Sequence, residues 1–317
     1  MADVCKDLTG ESIGPTSVRA FCDTWLAEKE KTVAPSTFEF YRKSLAKFTE
    51  WLGDKADGDI TNITRAAIIE FRNHEAKTLH AKTVTHEIKC LRMLFRTAHR
   101  DGIVSTDPTA HVEAVRQKSV VSSRRPFTVD ELQAVLGACD TEWRSMVLFG
   151  LYSGQRLGDV ASLEWSQIDL SRGVLRLRQR KTGKALVLPL ARPLLDLLGT
   201  SPGSGPVHPR AHSVVERTGK TGSLSNQFSD LLALAGLRAK ASHHKQEDGS
   251  GRSGKRAPSG LTYHALRHTL TTWLEQAGVA RATNQAFTGH SNDDMTQTYS
   301  HVDIAAMRKA VEELPEL

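Results

Sequence analysis

The stretch LTYHALRHTL, residues 261–270, places two imidazoles and a guanidinium on consecutive turns of an amphipathic pattern. At 3.6 residues per turn His264 and Arg267 share a face, while Leu266, Leu270, Trp273 and Leu274 form a separate apolar stripe. Thr262 is placed to cap the helix, leaving His264 in the first turn, where backbone N–H groups already favour an anion. Three readings follow: a solvated helix start, a site for a phosphate or carboxylate, or a zinc site using the i, i+4 pair His264 and His268. The metal reading is the weaker, because no acidic residue occupies the H-E-x-x-H position and Arg267 would repel a divalent cation. No metal and no cofactor are expected. The chain also has no G-x-x-x-x-G-K-[ST] loop and no paired carboxylates of the two-metal nuclease kind.

Other residues join this set along the chain. LYSGQRLGDVASLEW carries Arg156 after a Ser-Gly break in an apolar helix, RQRKTGK puts Lys181 at a strand end, and FTGHSNDDMTQTYSHV supplies His290 and then Tyr299. In order and spacing, Arg156, Lys181, His264, Arg267, His290 and Tyr299 resemble the catalytic motifs of the tyrosine recombinase, or phage integrase, family. The resemblance covers residues 125–317; Ser153 where threonine is commoner and a long 238–258 loop are departures that touch no catalytic group.

The resemblance implies cutting and rejoining of duplex DNA through a 3'-phosphotyrosine. Tyr299 is then the nucleophile, and Arg156 and Arg267 grip nonbridging oxygens in fork geometry. His264 serves as acid-base partner, Lys181 protonates the departing 5'-oxygen, and His290 hydrogen-bonds the scissile phosphate. Asp159 would orient Arg156, and His268 would support the helix or a neighbouring phosphate. The ester conserves the bond energy, so neither ATP nor metal is required. Four protomers would assemble on two DNA sites, each lending its last helix to a neighbour.

The elements that must position these groups are mostly helices. Residues 16–100 read as four helices with short connections, and residues 16–110 are expected to form a helical domain resembling the family's core-binding, SAM-like domain. Residues 111–126 lose apolar periodicity and read as a basic linker, where Lys118, Arg124 and Arg125 are candidate DNA-backbone contacts. Residues 127–317 form the catalytic domain. Thr128 and Glu131 have capping-box spacing, and GVLRLRQRKTGKALVLPL reads as two strands around KTGK. Helices resume at ARPLLDLLG and SNQFSDLLALAGL, the polar loop 238–260 with its solvated His243 and His244 follows, and helices then run nearly to the end. The fold class is therefore mainly α with a small antiparallel sheet. The last helix carries Ile304, Met307, Val311 and Leu314 on one stripe and needs a partner surface, in its own chain or another's.

Composition agrees with these expectations without proving them. The 317 residues suffice for two cores, and 42 Lys plus Arg against 36 Asp plus Glu leave a net charge of +6, compatible with a polyanionic partner. Aromatics at 6% argue against a single-strand stacking platform. Cys5, Cys22, Cys90 and Cys139 lie too far apart for a C-x-x-C site, and no signal pattern or membrane-length apolar run is present. A cytoplasmic, nucleoid-associated protein without an N-terminal arm-binding module is expected. A type IB topoisomerase and a non-catalytic DNA-binding protein are the competing readings.

Overall fold

In the computed structural model the described residues are 16–115, 124–200, 203–240, 260–289 and 304–317. The chain divides into two compact units, Met1–Val120 and Val121–Leu317.

The first unit contains helices α1 (Val18–Thr32), α2 (Pro35–Leu52), α3 (Arg65–Glu75) and α4 (Ala81–Arg100). Their starts are chemically marked: Ser17 and Thr64 accept from backbone N–H groups of α1 and α3, and Pro35 opens α2. The core is aromatic. Phe48 lies edge-on to Phe71 at 5.2 Å and to Phe95 at 6.4 Å, and Trp25 is buried with its indole N–H donated to Thr97 Oγ1 at 3.2 Å. On exit from α4 the backbone is held from outside: Arg65, Arg92 and Arg72 donate to the carbonyls of His111, Val112 and Glu113 at 3.0, 3.0 and 2.9 Å. What the sequence presents as the start of a basic linker is thus anchored at 111–113.

The second unit opens with α5 (Val129–Ala138), where Thr128 and Glu131 form the expected capping box. It continues through α6 (Thr141–Tyr152), the short α7 (Leu157–Ala161) and a three-stranded antiparallel sheet of β1 (Ile168–Asp169), β2 (Val174–Arg178) and β3 (Ala185–Pro189). Helices α8 (Arg192–Leu198), α9 (Pro209–Thr218), α10 (Gly222–Leu234), α11 (Tyr263–Gln276), α12 (Arg281–Thr288) and α13 (Ile304–Glu312) follow. Strand β1 and helix α9 are additions to the sequence reading. Strand β1 is only two residues long, and α9 has just Ala211 and Val215 buried, too little periodicity to stand out.

Helix α6 is buried on every side from Met146 to Tyr152 and packs along α11. Gly150 permits this approach: a Cβ there would lie 2.5 Å from Tyr263 Oη, whose hydroxyl donates to the Met146 carbonyl at 2.6 Å. The predicted stripe of the last helix is covered within the same chain. Met307, Val311 and Leu314 are buried, α13 packs against β3, and Tyr152 Oη donates to the Pro315 carbonyl at 2.6 Å.

Candidate active site

The break after α6 creates the first half of the site. Gly154 adopts φ +65° against α11, where a Cβ would meet Leu270 Cδ2 at 2.8 Å, so the turn demands glycine on both conformational and steric grounds. Arg156 follows as the N-cap residue of α7. Its Nη1 is buried without a hydrogen-bond partner among the described residues, 3.9 Å from Asp159 Oδ2, which is equally buried and unpartnered. The other Asp159 oxygen accepts the Arg180 backbone N–H at 2.8 Å. Asp159 thus stands at ion-pair distance from Arg156, short of hydrogen bonding, while holding the hairpin that carries Lys181.

Helix α11 supplies the second half. Its apolar residues Leu266, Leu270 and Leu274 are buried as expected, but Arg267 is buried too, at 3% exposure. Its guanidinium spans two turns, donating through Nη1 to the Gly154 carbonyl at 2.9 Å and through Nη2 to the Thr288 carbonyl at 2.5 Å. Burial, then the neighbouring Arg156 charge, brings its pKa down to about 10, still cationic at neutral pH. The buried Arg267 and half-buried Arg156 cations disfavour each other, and an anion bound beside them would relieve the repulsion.

His264 lies half-buried on α11, edge-on to His268 with ring centroids 5.0 Å apart. Burial, then the charges of His268, Arg267, Arg124 and Arg156, lower its pKa to about 4, so its imidazole is neutral at pH 7 and able to accept a proton. His268 is lowered for the same reasons, burial first and then Arg124 and Arg267. Thr262 occupies the N-cap position, but its side chain makes no capping bond.

Lys181 is exposed on the β2–β3 turn, closed by Gln179 N–H to the Lys184 carbonyl and Gly183 N–H to the Gln179 carbonyl, each 2.8 Å. Of the linker candidates, Arg124 is exposed and within electrostatic reach of His264 and His268. Arg125 is held in a two-pronged pair with Glu131 at 2.7 and 2.5 Å. Lys118, His290 and Tyr299 lie outside the described residues. The structure therefore gathers Arg156, Asp159, His264, Arg267 and His268, with the Lys181 hairpin tied to them through Asp159.

Two residues escaped the sequence reading. Gln155 and Gln179, both buried, join side chains at 3.0 Å beneath the arginines. Glutamine is ordinarily a surface residue, and the available signals were that Gln155 directly precedes Arg156 and that Gln179 continues the inward alternation of Leu175 and Leu177.

The phage integrase family model matches residues 125–305 and the phage integrase SAM-like domain model matches 17–114. A tyrosine recombinase XerD from Ralstonia nicotianae is 27% identical over 300 residues, covering 90% of this chain and 89% of that protein. A lambda integrase dimer bound to a COC' core site superposes with a TM-score of 0.65 at 19% identity, covering 95% of this chain and 81% of that one. A lambda integrase tetramer bound to a Holliday junction gives 0.64 at 20% identity, covering 95% and 84%. These structural likenesses concern the fold, a helical unit followed by a mixed unit with a small antiparallel sheet. With the matching family model spanning more than half of its length, the chain belongs to the phage integrase family of tyrosine recombinases.

Proposed function

We propose that this chain is a site-specific DNA recombinase whose phosphate pocket is built by Arg156 and Arg267, with Tyr299 as nucleophile. The observation that carries the reading is the unequal satisfaction of two neighbouring guanidiniums, Arg267 buried and Arg156 half-buried. Arg267 is fixed by two carbonyls, whereas Arg156 keeps a buried N–H without a partner among the described residues, a donor suited to a nonbridging phosphate oxygen.

In the proposed reaction the Tyr299 oxygen attacks phosphorus and the bond to the 5'-oxygen breaks. The phenolic proton passes to neutral His264, and the departing oxygen takes a proton from Lys181. The arginines stabilise charge on the nonbridging oxygens, where each donor contributes on the order of 10²–10³ in rate. His290 adds a hydrogen bond to the phosphate, Asp159 positions Arg156, and His268 lies alongside His264. The product is a 3'-phosphotyrosine and a free 5'-hydroxyl. Attack by another 5'-hydroxyl reverses the step and exchanges strands without ATP.

Residues 127–317 act as the catalytic domain and residues 16–110 as the DNA-gripping domain, joined by 111–126. In support of the latter, Lys82, His86, Lys89, Arg96 and Arg100 are exposed at spacings of three, four or seven along α4, forming one basic stripe. Arg124, and with it Lys118 and Arg125, would line the DNA backbone. Assembly as a homotetramer on two sites is proposed by analogy with the lambda integrase tetramer bound to a Holliday junction, and the place of action would be the cytoplasm, on nucleoid DNA. Exchange of the last helix would require α13 to leave the surface of its own unit.

The test is covalent capture from a pool of nicked duplexes of random sequence, in which release of the short strand prevents religation. Retention of DNA on denatured protein by the wild type, lost in Tyr299→Phe, is expected. Equal retention by Tyr299→Phe, or none by the wild type, would contradict the reading.

A further inference from the structure

The Lys181 turn lies beyond the last ladder pair of β2 and β3, Arg178 opposite Ala185, so sheet pairing does not set its direction. The side chain of Gln179 does much of this. Its Nε2 donates to Gln155 Oε1 at 3.0 Å and to the Thr288 carbonyl at 3.2 Å, and its Oε1 accepts from the Thr182 hydroxyl, next to Lys181, at 2.8 Å. Gln155, next to Arg156, completes the chain by donating Nε2 to the Ser153 and Phe287 carbonyls at 2.8 and 2.9 Å. The Thr288 carbonyl that receives Gln179 also receives Arg267. Gly289, at φ +68°, packs so closely on Gln179 that a Cβ would lie 3.0 Å from its Oε1.

Three segments that carry proposed site groups thus converge on one buried amide pair: the Arg156 turn, the Lys181 hairpin, and the end of α12 that anchors Arg267. Both amides use both of their N–H donors and pair their oxygen once, so no donor and no acceptor atom is left unpaired, the condition under which a buried polar network fixes geometry rather than loosening it. An apolar pair could fill the same volume, but it could not specify the direction of the turn.

We propose that Gln155 and Gln179 form a positioning pair that sets the Lys181 ammonium against the departing 5'-oxygen. This inference rests on the assignment of Lys181 as the acid. Its distinguishing readout is leaving-group chemistry. A 5'-bridging sulfur leaves readily without a proton, so loss of the acid, or of its position, is rescued by sulfur, whereas loss of phosphate grip is not.

The experiment compares single-turnover cleavage of two nicked suicide duplexes carrying the site recovered by random-pool capture, one with bridging oxygen and one with bridging sulfur. Gln179→Met keeps the volume and removes the donors. It should slow the oxygen substrate about 10- to 100-fold, leave DNA affinity unchanged, and cleave the sulfur substrate at close to the wild-type rate. Thr182→Val, which removes only the hydroxyl donated to Gln179, should show the same pattern more weakly, and it decides the matter if Gln179→Met fails to fold. Equal slowing of both substrates, or of neither, overturns the positioning role. Lys181→Ala separates the two levels. If sulfur does not rescue it, the acid assignment falls; if sulfur rescues Lys181→Ala but neither pair variant, the inference alone falls.

Discussion

The two units handle positive charge in opposite ways. Among its described residues the helical unit fully buries no lysine or arginine and lays an exposed basic stripe along α4, whereas the catalytic unit draws Arg267 fully inside, beside the half-buried Arg156 and His264. Exposed cations in water attract many phosphates weakly and are screened by salt. Buried cations act strongly on one phosphate, because low dielectric magnifies their field and their geometry is fixed before the ligand arrives. The contrast assigns affinity to one unit and chemistry to the other.

The contrast should break most visibly at the buried arginines. Arg267→Ala is expected to lower cleavage by roughly 10²–10³ or more. It should also lower the melting temperature, because the Gly154 carbonyl loses this partner at about 1–3 kcal/mol, while the Thr288 carbonyl keeps Gln179. Arg156→Ala should lose comparable activity with a much smaller change in melting temperature, because its Nη1 bonds to no group among the described residues. Parallel melting and single-turnover measurements check both, and equal destabilisation by the two would erase the distinction drawn between them.

The exposed stripe should behave differently. Lys89→Ala and Arg96→Ala are expected to weaken DNA binding and to reduce the slope of log affinity against log salt by about 1 each, with the cleavage rate at saturating DNA unchanged. A loss of rate at saturation would show that the stripe takes part in more than grip.

The smallest effect concerns pH. His264 has a folded pKa of about 4 against an ordinary value of 6.5, and His268 is also lowered. Between those values the unfolded chain binds more protons than the folded one, so stability falls as pH drops from about 6.5 towards 4 and is flat above. His264→Gln should flatten that dependence in melting curves recorded without DNA. Sulfate should raise the melting point by occupying the arginine pocket, and less so in Arg156→Ala.

Much of this was legible in the sequence because the site depends on residue types that are rare in apolar surroundings. His264, Arg267 and Arg156 stand out against the leucines around them, and the four helices of the first unit announce themselves by apolar spacing and by Ser, Thr and Pro at their starts. What could not be read is how polar groups pair across the fold. Thr262 sits where a cap belongs yet its side chain makes no capping bond, Arg125 is committed to Glu131, and Asp159 holds the hairpin backbone as well as facing Arg156. The burial of Arg267 depends on two carbonyls 113 and 21 residues away in sequence. Gln155 and Gln179 matter only through each other, across 24 residues, and no local pattern encodes that.

The central claim is that the buried guanidiniums hold a phosphate for attack by Tyr299. Mass spectrometry of the trapped, protease-digested adduct tests it most directly. The account predicts a nucleotide joined through its 3'-phosphate to the peptide containing Tyr299, with a free 5'-hydroxyl on the released strand. Attachment to any other side chain, or a 5'-phosphate linkage, would contradict it.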